Sequence, residues 1–60
     1  MVSPIDIQKA LSGMDYPSRK EDIVRHAEQN GADSEVVAAL KKIEDREYEG
    51  PSGVSSAVFD

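Results

Sequence analysis

Apolar residues recur along this chain at helical intervals, in four groups separated by turn residues. Ile7, Ala10, Leu11 and Met14 stand at i, i+3, i+4 and i+7, which is one face of a helix. Ser3 ahead of Pro4 offers a capping hydroxyl before a residue suited to the first turn, and Asp6 lies near the positive end of the helix dipole. Gly13 suits a left-handed cap, so this helix is predicted to end near Ser12. The second stripe is Ile23, Val24 and Ala27. Pro17 keeps Tyr16 extended ahead of it, and Ser18 with Glu21 has the spacing of a capping box. Glu21 and Arg25 are placed for an i,i+4 ion pair, and Asn30-Gly31 ends the helix.

The third helix is predicted to begin at Asp33 or Ser34. Val36, Leu40 and Ile43 form its stripe, Val37 widens it, and Lys41 and Lys42 fall where the dipole favours cations. The run Glu44-Asp45-Arg46-Glu47-Tyr48-Glu49 has neither helical nor strand period and reads as a loop. Gly50-Pro51-Ser52-Gly53 is punctuation, after which Val54, Ala57 and Val58 predict a short fourth helix. Tyr16 and Tyr48 each precede a helix, where each ring would lie across the core edge with its hydroxyl in water. The expectation is one all-α domain over residues 1–60, a compact bundle of three helices plus a short fourth. Its core would be Ile7, Leu11, Ile23, Val24, Ala27, Val36, Val37, Leu40, Ile43, Val54 and Val58.

Composition narrows the function classes. Seven Lys+Arg against twelve Asp+Glu give a formal charge of −5, which repels phosphate and argues against generic nucleic-acid or anionic-membrane affinity. Cysteine is absent from the sequence, which excludes a disulfide framework and a zinc-thiolate staple. The longest apolar run, Val36 to Leu40, is far short of the ~20 residues that span a bilayer. The amino terminus reads without a secretory signal, and a cytoplasmic location is expected.

Ile7-Gln8-Lys9-Ala10-Leu11, Tyr16-Pro17, His26-Ala27, Gly31-Ala32-Asp33, Leu40, and Tyr48 followed by Pro51 and Val54 together resemble the bacterial domain of unknown function 2795 family. The resemblance runs from about Ile5 to Val58. Ile43-Glu44 departs from it, standing where the family pattern has a leucine-proline pair. It implies a small helical domain and carries no functional residues with it.

Candidate chemistry is sparse. Ala27-x3-Gly31-x5-Val37 has helix-turn-helix spacing, but the would-be recognition helix starts Ser34-Glu35 and turns Ala38 and Ala39 outward, with no Arg, Asn or Gln to read a base edge. His26 lies four residues after Asp22, a local pair. Glu44, Asp45, Glu47 and Glu49 lack the ligand order of a calcium loop and read as a solvated loop. Ser52, Ser55 and Ser56 have no strand-to-helix elbow around them. The expected function is a non-enzymatic module, without cofactor or metal, that binds a protein partner or itself. A helix-turn-helix-like accessory to DNA-binding machinery is the alternative. Partner contact is expected at Tyr48, Val54 and Phe59, because Phe59 is turned ~100° from Val58 and cannot fully share its burial.

Overall fold

The computed structural model describes residues 2–59; Met1 and Asp60, the ends of the expected 1–60 domain, lie outside the described residues. The chain forms α1 (Pro4–Ala10), β1 (Ser18–Arg19), α2 (Lys20–Gln29), α3 (Ser34–Lys41), β2 (Glu47–Tyr48) and α4 (Pro51–Phe59). The four helices and one minute two-stranded sheet make it an all-α fold.

The start of α1 follows from its first residues. The Asp6 backbone N–H donates to Ser3 Oγ at 3.4 Å, and the Ser3 backbone N–H donates to Asp6 Oδ2 at 3.0 Å, a reciprocal capping box with Pro4 at the first turn. The Ser3 backbone N–H, and after it the Ser3 hydroxyl, hold the Asp6 carboxyl below the ordinary aspartate range. The helix ends at Ala10, two residues before the expected Ser12, and Gly13 at φ +76° carries the chain away. The carbonyls left at this end are taken up by α2. Asn30 Nδ2 donates to the Ala10 and Ser12 carbonyls at 3.0 and 3.1 Å, and His26 Nε2 lies 2.7 Å from the Ser12 carbonyl, to which it donates. His26 therefore ties two helices together instead of pairing with Asp22, whose carboxylate sits 3.8 Å from Arg25. Arg25 thus pairs at i,i+3 with Asp22, and not with Glu21 as the spacing suggested.

The capping box expected at Ser18 does not form. Ser18 is buried in β1, its hydroxyl donates to the Asp15 carbonyl, and α2 starts at Arg19 without a side-chain cap. β1 pairs antiparallel with β2, Ser18 opposite Tyr48 and Arg19 opposite Glu47. The segment 44–49, read from sequence as a loop, therefore contains a strand. Two residues are too few for a period-two pattern to show.

Between α2 and α3, Gly31 adopts φ +74°. Nothing lies within 4 Å of where a Cβ would stand, so Gly31→Ala meets only the intrinsic penalty of the left-handed region. That substitution is expected to lower stability by about 1–2 kcal/mol, read by chemical denaturation. An alanine variant as stable as the parent would contradict this turn geometry.

The core comprises Ile7, Ala10, Leu11, Ile23, Ala27, Val36, Leu40, Ile43, Tyr48 and Val54. Ala10 and Tyr48 enter it beyond the expected set, while Val24, Val37 and Val58 are only half-buried. The fourth helix is longer than its apolar stripe implied. It opens at Pro51, where a proline has no N–H to leave unbonded.

Candidate functional site

The expected partner-contact residues separate in the fold. Tyr48 and Val54 are 1% and 0% exposed and belong to the core, whereas Phe59 keeps 43% of its surface open. Tyr48 is buried because β2 presses it inward and its polar end finds a partner: the hydroxyl donates to the Glu44 carbonyl at 2.6 Å. The Arg46 guanidinium stands over its ring, 4.2 Å from the centroid, and donates to the Glu47 carbonyl at 3.3 Å. This tyrosine hydroxyl is satisfied by protein rather than by water.

Tyr16 differs again. Its hydroxyl is enclosed and has no hydrogen-bond partner among the described residues, and burial pushes the phenol above the ordinary tyrosine range. Tyr16→Phe is therefore expected to be neutral or stabilising, by up to about 1 kcal/mol. The sign at high pH is also set. The neutral phenol is the favoured folded form, so its contribution is complete below the ordinary tyrosine range and lost as pH rises through the elevated folded value. Thermal melts across that alkaline range should fall less steeply for Tyr16→Phe than for the parent; parallel curves would refute the enclosure of this hydroxyl.

The surface around Phe59 is built by α1 and α4. Pro4, Ile7 and Gln8 on one side of α1, with Leu11 at its C-cap, face Pro51, Ser52, Ser55, Ser56 and Phe59 of α4 across an open groove of about 530 Å³. No lining residue is charged. On its other side α4, through Ala57, Val58 and Phe59, meets Val2, Ala38 and Ala39 across a second groove that the charged Glu35 and Lys42 also line. Ile5, 61% exposed, adds a further large apolar side chain on α1. It lies off the Ile7–Leu11 stripe, so the apolar spacing does not single it out.

A depression at the start of α2 mixes Arg19, Lys20 and Arg25 with Glu21, Glu28 and Asp45, so it favours neither sign of ligand. Among the described residues no three His, Asp or Glu side chains come together as metal ligands. No helix among them is long and apolar enough to cross a membrane. α2 and α3 pack against each other on either side of the Gly31 turn, and Ser34, Glu35 and Ala38 are exposed on α3.

Fold and surface thus define a small all-α domain with an uncharged groove between α1 and α4. A family model described as "Protein of unknown function (DUF2795)" matches residues 2–55, and the chain belongs to that family. The match stops within α4, so Phe59 lies beyond it. No curated protein and no solved structure matches the chain.

Proposed function

We propose that this chain is a non-enzymatic interaction domain of the cytoplasm that binds a protein partner or a further copy of itself through the uncharged surface of α1 and α4. One observation carries the reading: α4 is a nine-residue surface helix without a single charged side chain. Charged residues are 32% of the chain, and α1, α2 and α3 each bear them. Surface helices ordinarily put charges toward water, and only Val54 of α4 is fully buried within the chain. Phe59 at its end is the type of residue that dominates contact energetics when a partner covers it.

The test is a photo-crosslinking side chain at position 59, with Lys41 as the control position, used in the cell of origin. Discrete adducts from 59 and not from 41 are expected. If 59 yields no more adduct than 41, the interaction reading fails.

A further inference from the structure

We infer that a second copy of this chain docks on the face that α3 shares with α4, the two α3 helices lying antiparallel so that Glu35 of each meets Lys42 of the other. This goes beyond the interaction reading above, which concerns the α1 side of α4. Glu35, Ala38, Ala39 and Lys42 stand at i, i+3, i+4 and i+7 on α3 and its C-cap, one face turned away from the buried Val36 and Leu40. Glu35, Ala38 and Lys42 are exposed, and Ala39 is half-buried. With Val58 and Phe59 of α4 they border a groove of about 600 Å³. A helix laid over it covers the open side of Phe59 as well.

The order of the four α3 residues selects the occupant. The midpoint between Glu35 and Lys42 is also the midpoint between Ala38 and Ala39, so a two-fold axis there exchanges the members of each pair. Each carboxylate then meets an ammonium group, twice per dimer, from positions about 10 Å apart along the helix. The alanines at the axis put only methyl groups where the helices touch, which permits close approach. The antiparallel sense sets the positive end of one helix dipole beside the negative end of the other. A different partner would have to supply an acid and a base seven residues apart around small residues; this chain already carries that face.

The flanking charges do not oppose the packing. Glu44, beyond Lys42, lies 3.8 Å from Arg46, and Asp45 lines the depression at the start of α2. Asp33, ahead of Glu35, lines a separate depression with Lys9 and Asn30. Glu35 is engaged within its own chain as well, and a carboxylate has acceptor sites for a further donor. A standard interface takes about 800 Å² from each partner, roughly a fifth of this chain's 3927 Å² surface. Two short helices supply less, so the dimer belongs to the weak, concentration-dependent class.

The decisive measurement is sedimentation equilibrium of the full chain from about 10 µM to about 1 mM, with circular dichroism melts to verify folding. The parent mass should rise from 6.5 kDa toward twice that value. Glu35→Lys and Lys42→Glu change exposed positions, and each sets like charges together at both ends of the contact. Association of either variant with itself should weaken by roughly tenfold or more. Glu35→Lys also brings the chain nearer neutrality, so a contact governed by overall repulsion would instead strengthen. An equimolar mixture of the two variants should regain association, because every lysine then faces a glutamate, and so should the double variant. A parent that stays at 6.5 kDa throughout overturns the inference and leaves the α1/α4 reading to its own crosslinking test. A Glu35→Lys variant that associates as well as the parent also overturns it, as does a mixture no stronger than its components.

Discussion

Leu40→Ala is expected to unfold most of the protein or to lower its melting temperature by well over 10 °C. Leu40 is 0% exposed and stands on α3 within a cluster that gathers residues from every helix. Removing its side chain costs about 2–5 kcal/mol, part lost transfer energy and part the cavity left behind. A core this small, without a disulfide, supplies about 3–5 kcal/mol in total. Each kcal/mol moves the midpoint of a 60-residue domain by about 4–8 °C. Leu40→Met, which keeps the volume, should cost less than about 1.5 kcal/mol. An alanine variant melting within a few degrees of the parent would show that α3 does not present Leu40 to the core.

Tyr48→Ala is expected to be as damaging, at about 3–5 kcal/mol, the range for large aromatic side chains removed from a core. The ring is 1% exposed, and it packs beside Gly53 in α4, where an added Cβ would lie 3.7 Å from Tyr48 Cδ1. It also anchors β2 opposite Ser18. The substitution should therefore loosen the contact between the 44–49 segment, β1 and α4 together. Tyr48→Phe isolates the hydroxyl: it removes the 2.6 Å bond to the Glu44 carbonyl and should cost about 1 kcal/mol. Urea unfolding of the two variants checks both values. If Tyr48→Ala stays within about 1 kcal/mol of the parent, the segment is not docked on this ring. The contrast with Tyr16→Phe is the informative one, since the two tyrosines look alike in sequence and their hydroxyls have opposite surroundings.

Tyr48 also shows why the expected contact surface changed. In sequence it lies in an acidic run beside glycines and serines, which places its ring at the core edge and its hydroxyl in water. The signal that it is a core residue is its pairing with Ser18, and that pairing joins segments separated by two helices' worth of chain. Phe59 was legible because its angle from Val54 and Val58 is a local property of one helix. The groove was not, because Pro4, Gln8 and Leu11 come to face Pro51, Ser55 and Phe59 only when α4 packs across α1. The uncharged run from Gly50 to Phe59 was visible in the sequence, but it has meaning only once that run is known to be a helix at the surface.

Whatever one or two helical turns can encode is legible in the residues themselves. The 3.6-residue spacing of apolar residues set all four helices and most of the core, the Ser3–Asp6 box set the start of α1, and the glycines at 13 and 31 set the left-handed turns. The tertiary structure decided the interactions that polar side chains make at a distance. His26 and Asn30 serve the end of α1, Ser18 joins a strand instead of capping a helix, and the Tyr48 hydroxyl finds the Glu44 carbonyl. The reason is that apolar burial is non-directional and repeats with the helix, so it leaves a period in the chain. A buried donor must instead reach whichever acceptor the packing brings within about 3 Å, and no spacing along the sequence records which one that will be.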